Sequence, residues 1–154
     1  MNRLATIIAS FFGAGYSPLA PGTVGSIAAV LIIYGMSHFV DNLLCTLAIL
    51  AILSYLLGVW SIGNLPSYWN HDDGKVVIDE AHGIFVSMLF VPYTEINLII
   101  GLVLFRFFDI LKPLGIRNID NLKNDHSVML DDTAAGICTN IVLQVLIICR
   151  ILPL

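Results

Sequence analysis

Charge is what this 154-residue sequence has least of. Asp, Glu, Lys and Arg make up 12% of it, against 58% apolar residues and a mean hydropathy of +0.91. A soluble domain carries roughly 25% charged residues. Half of that supply leaves too little charge to clothe a water-facing surface, and a lipid-facing surface accounts for the shortfall. An oligomer of strongly buried apolar helices is the water-soluble alternative. Basic residues are the scarcer sign, seven against eleven acidic, for a net charge of −4. Binding a nucleic-acid backbone needs a basic face, so nucleic acid is excluded as a partner. Cysteine is nearly absent too. Cys45, Cys138 and Cys149 are odd in number, form no CxxC and sit in apolar stretches. That excludes a disulfide framework and a cysteine zinc site, and leaves them as small apolar residues.

Long apolar runs are what the chain has instead. Residues 4–12 form a short run, a helix too short to span a bilayer. With Arg3 ahead of it and Gly13-Ala14-Gly15 behind, it has the outline of a secretory signal. We read it as part of the folded chain, because the motif in the following loop depends on it. Breakers crowd residues 13–23, which reads as a loop, with Thr23 placed to cap the next helix. Apolar segments then cover about Val24 to Val40, Leu43 to Ile62, residues 81–91, Ile96 to Leu111, and the stretch from Asp131-Asp132 to about Leu152. A spanning helix needs ~20 apolar residues, within a range of about 17–25. The first, second and fifth segments qualify and the fourth is borderline. The third is short, so it crosses at a tilt, extends into the interface, or dips in without crossing. There is no internal repeat. The expectation is a single all-α domain over residues 1–154: a membrane helical bundle of four to five apolar helices plus a short N-terminal helix.

Crossings place the charges. If all five segments cross, the N-terminus and the loops 63–80 and 112–132 share one side. That side holds Arg3, Lys75, Lys112, Arg117 and Lys123, with Arg106 one turn inside the fourth segment; the other side holds only Arg150. The positive-inside rule makes the first side cytoplasmic. Nine of the eleven acids, all but Asp41 and Glu95, fall on or near that same side. The rule does not demand this of acids, and both sides meet water, so a shared polar site is the better account.

Two adjacent acid pairs carry that site. Asp79-Glu80 opens the third segment and Asp131-Asp132 the fifth. A carboxylate at a helix N-terminus offsets the macrodipole by about 0.3–1 kcal/mol, which explains one acid per helix. Two crowded pairs repel, and a hard divalent cation removes the conflict: Mg²⁺ takes one or two carboxylates, substrate phosphate and waters. Asp79, Glu80, Asp131 and Asp132 are therefore the candidate metal ligands. Arg106 and Asp109 are i, i+3 neighbours in an apolar helix, where ionisable groups are costly and functional by default. A structural ion pair with Arg106 reaching to the interface is the alternative. Lys112 and Arg117 add positive charge that suits a phosphate. The loop from Ser17 to Ser26 places Gly22, Thr23, Gly25 and Ser26 at a helix start, where backbone N–H groups bind anions; taken alone, a capped turn is the favoured account. No metal-ligand spacing surrounds His71, His82 or His126. No Cys-x5-Arg loop, DxD pair or Ser-Gly-His run is present, which disfavours a covalent intermediate and leaves water activated by a metal. A small cation transporter would spread ionisable residues through several helices, and a non-catalytic membrane subunit would tolerate loss of the acids. Both stand as alternatives to an enzyme.

Four ordered blocks resemble the phosphatidylglycerophosphatase A family. They are Gly13-x-Gly15-x-Ser17-Pro18-x-x-Pro21-Gly22-Thr23-x-Gly25-Ser26, Asp79-Glu80-x-x-Gly83, Phe105-Arg106-x-x-Asp109-x-x-Lys112-Pro113-x-x-Ile116-Arg117, and Asp131-Asp132-x-x-Ala135-Gly136. The resemblance covers about residues 10 to 140. It implies an all-helical fold with a central helix surrounded by others. It implies a Mg²⁺-dependent enzyme of the bacterial inner membrane that converts phosphatidylglycerophosphate to phosphatidylglycerol and inorganic phosphate. The residues carried over are Asp79, Glu80, Asp109, Asp131 and Asp132, with Arg106, Lys112 and Arg117; Thr23 and Ser26 join the basic residues as phosphate contacts. The partners implied are that lipid substrate and the surrounding bilayer, with self-association left open. The chain departs from the family pattern at Ala81-His82, where bulkier apolar residues are usual, and at Leu114-Gly115, where a second proline is common.

Overall fold

The computed structural model of the chain describes residues 3–66, 69, 73–113, 115–120, 122 and 124–153. His71, Leu114 and Lys123, named above, and Asp72, one of the nine acids counted on one side, lie outside the described residues. Among the described residues, seven α-helices follow one another: α1 (Arg3–Ala9), α2 (Pro21–Ser37), α3 (Leu43–Ile62), α4 (Ile78–Ser87), α5 (Glu95–Leu111), α6 (Ile116–Asp120) and α7 (Asp125–Ile148), with a 3₁₀ turn at Ala14–Tyr16. There is no strand among the described residues. The all-α expectation is met.

Helix starts follow local chemistry, with two corrections to the expected boundaries. Asn42 caps α3 by accepting from Cys45 N, and Thr94 caps α5 by accepting from Asn97 N. Helix α2 starts at Pro21, ahead of the expected cap at Thr23. Proline suits a first helical position because its missing N–H has no helical partner there, and Thr23 sits inside the first turn. Helix α7 starts at Asp125, not at Asp131. Asn124 and Ser127 form a reciprocal capping box, with Asn124 N donating to Ser127 Oγ at 2.9 Å and Ser127 N donating to Asn124 Oδ1 at 2.8 Å. Asp131 and Asp132 therefore lie in the second turn, past the first-turn reach of the helix dipole. Part of the expected polar loop before them is the short helix α6.

Helices α3 and α7 are long and apolar enough to cross a membrane, and most of each faces outward. Of the five segments expected to cross, these two meet the requirement by themselves. Helices α2 and α5 have 17 residues each. Helix α4 has ten, about 15 Å of rise, against a hydrocarbon layer of about 30 Å. It is too short to cross. Instead it is the centre of the bundle, packed against α2, α3, α5 and α7, with most of its residues buried.

Two features hold α4 there. The first is close backbone approach. A Cβ on Gly136 of α7 would lie 2.6 Å from Gly83 O, and a Cβ on Gly83 would run into the Phe105 ring. Small residues at a helix crossing let backbones meet in this way. The second is side-chain satisfaction of the carbonyls where α4 ends. Asn140 Nδ2 donates to Ser87 O at 2.9 Å and to Leu89 O at 2.6 Å, and one turn along α7 Gln144 Nε2 donates to Phe90 O at 2.8 Å. An unpaired carbonyl in an apolar setting costs several kcal/mol, so these amides matter to where the helix ends. The crossing is testable. Gly136→Ala forces α4 and α7 apart and lowers stability by about 1–3 kcal/mol, read as a drop in the thermal midpoint in detergent. Gly35→Ala, where a Cβ meets nothing within 4 Å, leaves the midpoint unchanged or raises it, since alanine is the better helix former by about 1 kcal/mol.

Candidate active site

The first turn of α4, the last turns of α5, the second turn of α7 and the start of α2 meet around one cleft of about 290 Å³. Its charged lining is Asp79 and Glu80 from α4, Arg106, Asp109 and Lys112 from α5, and Asp131 and Asp132 from α7. Seven of the candidate residues from the sequence thus share one space. Ala20, Pro21 and Gly22 form the wall at the start of α2, and Asp73, Gly74 and Val76 form the rim before α4.

The carboxylates divide into two groups. Asp79, Glu80 and Asp132 each offer an oxygen within 4.8 Å of the others. Asp131, next in sequence to Asp132, turns to Lys112 instead, with Oδ2 at 2.5 Å from Nζ. Adjacent helical residues point about 100° apart, so neighbours in sequence need not share a cluster. Asp79 Oδ1 and Glu80 Oε2 are buried with no hydrogen-bond partner among the described residues. Both residues open α4, ahead of its apolar part. Burial, and then the charge of Glu80, holds the Asp79 carboxyl well above its ordinary range; burial raises Glu80 as well. The three carboxylates, Asp132 buried and Asp79 and Glu80 half-buried with one unpartnered buried oxygen each, form an oxygen donor set short of positive charge. That chemistry fits a hard divalent cation.

Arg106 forms the opposite wall. Its Nη1 lies 2.6 Å from Asp109 Oδ2 and 3.7 Å from Glu80 Oε1. The contact with Asp109 engages Nη1, and the buried Nε has no hydrogen-bond partner among the described residues and keeps its donor capacity. A Cβ on Gly22 would collide with Glu80 Oε1 and stand 3.2 Å from Arg106 Nη1. Glycine at this position lets the start of α2 close onto the Glu80–Arg106 pair. The N–H groups of Gly22 and Thr23 precede the first helical bond, which Val24 N makes to Ala20 O, and so have no partner within the helix. Lys112 ends α5 in a left-handed conformation, φ 46°.

Three expected contacts fall elsewhere. Ser26 is buried, and its Oγ donates to Gly22 O at 2.8 Å, so the hydroxyl is turned onto its own helix. Thr23 is half-buried behind Gly22 and does not line the cleft, although its backbone N–H belongs to the helix start. Arg117 is exposed on α6, outside the cleft wall. In the other direction, Asp73 and Gly74 were given no role, and the fold brings them to the rim; the Asp-Asp-Gly run ahead of α4 was the available signal. His82 is enclosed between α3 and α7, and His126 pairs with Tyr55 on the exterior, its Nδ1 3.2 Å from the phenol oxygen.

A family model for phosphatidylglycerophosphatase A matches residues 7–147. A Bacteroides thetaiotaomicron protein named "Putative phosphatidylinositol-3-phosphatase" is 39% identical over 148 residues, 92% of either chain. The Haemophilus influenzae protein named phosphatidylglycerophosphatase A is 34% identical over 145 residues, covering 88% of this chain and 84% of that one. The Escherichia coli K12 protein of the same name is 32% identical over 134 residues, covering 85% and 76%. No solved structure matches this chain. The four sequence blocks line a single cleft, and the family match spans them all: the chain belongs to the phosphatidylglycerophosphatase A family of phosphatase enzymes.

Proposed function

We propose that this protein hydrolyses the terminal phosphate monoester of phosphatidylglycerophosphate, with Mg²⁺ as cofactor, at the cytoplasmic face of the bacterial inner membrane, which it crosses several times. The observation that carries this reading is the pairing of an under-neutralised carboxylate cluster with the Arg106 guanidinium, whose Nε has no partner among the described residues, in one cleft of a chain from this family. Because α4 is too short to cross, sidedness rests on the cleft itself: Arg106 and Lys112 line it, Lys75 is next in sequence to its rim, and basic residues favour the cytoplasmic side.

Asp79, Glu80 and Asp132 would hold the cation. A divalent cation in such a site polarises the phosphoryl group and acidifies water. The chain's own residues do the rest. Arg106 and the N–H groups at the start of α2 bind the phosphoryl oxygens and meet the charge that develops as the ester bond breaks. Asp109 orients the guanidinium through its 2.6 Å contact. Lys112 neutralises Asp131 and adds positive charge at the cleft. Water adds to phosphorus and the lipid alcohol leaves, giving phosphatidylglycerol and inorganic phosphate. The acyl chains stay beside the apolar outer faces of α3 and α7, so only the headgroup has to enter the cleft.

A second substrate is favoured by one observation. The Bacteroides relative carries the name of a phosphatidylinositol 3-phosphate enzyme, and both lipids present a phosphate monoester on a polyol headgroup. Purified protein supplied with each lipid separates the two, with inorganic phosphate as the readout. The expected result is faster release from phosphatidylglycerophosphate, abolished by EDTA and restored by Mg²⁺. Preference for the inositol lipid would replace the first substrate with the second, and release from neither would end the reading.

The acids and the arginine give separate signatures. Glu80→Gln and Asp132→Asn each leave a buried cluster with one fewer charge, and kcat falls by about 10²-fold or more, the scale of lost transition-state electrostatics. Full activity in both would remove the cation site. Arg106→Lys keeps the charge and loses the planar fork. It lowers kcat/KM by roughly 10²-fold while Mn²⁺ binding persists, whereas parallel loss of both would place Arg106 among the determinants of the cluster itself.

A further inference from the structure

One buried polar cluster has no part in the chemistry above. His82 lies on α4 with 4% of its surface exposed. Its Nδ1 is 3.0 Å from Ser54 Oγ and 3.0 Å from Ala51 O, both on α3, and its Nε2 is 3.0 Å from Thr133 Oγ1 on α7. Either neutral tautomer completes this bridge. With the proton on Nε2, the ring donates to Thr133 and accepts from Ser54, and the Thr133 hydroxyl donates to Met129 O at 2.6 Å. With the proton on Nδ1, the ring donates to Ala51 O and accepts from Thr133.

The place of this bridge is what gives it meaning. Thr133 directly follows Asp132, and His82 follows Glu80 by two residues. We propose that His82 is a positioning residue: through Thr133 it sets the rotation of α7 that aims Asp132 at Asp79 and Glu80. The proposal rests on the cation reading above. The glycine crossing of Gly83 and Gly136 fixes how close α4 and α7 come, and Asn140 and Gln144 tie α7 to the far end of α4, but neither acts beside Asp132 at the cleft end. With all three carboxylates ionised, repulsion would turn Asp132 away from its partners. A directional hydrogen bond on the neighbouring residue, about 100° around the helix, opposes that turn. Ser54 and Ala51 anchor the other edge of the imidazole to α3, so the ring cannot simply follow α7.

Metal binding reads the proposal without substrate. Mn²⁺ is titrated into the detergent-solubilised full chain and followed by electron paramagnetic resonance. His82→Ala and Thr133→Val are expected to weaken Mn²⁺ binding by roughly tenfold or more, the scale seen when groups behind a metal's ligands are removed. His82→Gln and Thr133→Ser keep a bonding group in place and are expected to bind close to the parent value. Helical circular dichroism screens for unfolded variants. Thr133→Val strands a buried ring nitrogen; should it fail to fold, His82→Ala carries the test, because the Ser54 and Thr133 hydroxyls retain their own helix carbonyls. Parent-like Mn²⁺ affinity in His82→Ala overturns the positioning role and leaves the cation reading intact. Equal losses in the conservative and disruptive variants also overturn it, since packing alone would then be at work. A parent protein that binds no Mn²⁺ removes both readings together.

Discussion

Three clustered carboxylates share one cleft with a single guanidinium that reaches only Glu80 among them, and the surrounding helices hold that imbalance in place. Two like charges 4 Å apart repel by roughly 4 kcal/mol at an effective dielectric of 20. Asp79 and Glu80 come from one helix and Asp132 from another, so the repulsion acts directly on the contact between α4 and α7. Arg106 offsets only part of it, because Asp109 shares its charge. Lys112 is taken by Asp131. What holds the carboxylates in place is packing: the backbone contact of Gly83 with Gly136, the amides of Asn140 and Gln144 on the carbonyls past Ser87, and the bridge through His82. A cation at the cluster would offset the repulsion between ionised carboxylates.

The short central helix follows from the same requirement. A ten-residue helix spans about 15 Å, so its first turn stands at the cleft and its last turn stops partway down the bundle. Ending a helix there exposes carbonyls, and α7 supplies polar side chains at the matching height. That accounts for asparagine and glutamine at positions 140 and 144, in the largely apolar second half of α7. The outer faces of α3 and α7 remain apolar, which suits a substrate whose acyl chains stay in lipid while its headgroup enters the cleft.

Much of this was legible before the fold. Apolar runs located α3 within its observed limits and α5 within a residue, because long helices with a continuous pattern are the strongest sequence signal. The Asp79-Glu80 and Asp131-Asp132 pairs, Arg106, Asp109 and Lys112 were all identified, since ionisable residues in so apolar a chain are rare enough to be noticed. Boundaries fared worse. Thr23 was misjudged as a cap because proline is itself a good first helical residue. The start of α7 was placed at the acids rather than at the Asn124–Ser127 capping box, because hydropathy rises only after Asp132.

Composition and order by themselves determined that this chain is helical, poor in charge, and supplied with one set of acids and bases suited to a phosphate and a cation. Tertiary structure alone decided how those residues divide. It set Asp131 on Lys112 and Asp132 with Asp79 and Glu80, although the two aspartates are neighbours in sequence. It kept Ser26 and Arg117 out of the cleft and brought Asp73 to its rim. It turned His82, a histidine with no motif around it, into a link between three helices. The physical reason is that a helix rotates each side chain by about 100° from the last. Linear spacing fixes which residues share a face, but the partner each face meets depends on crossing angles and separations set by glycines and packing elsewhere in the chain.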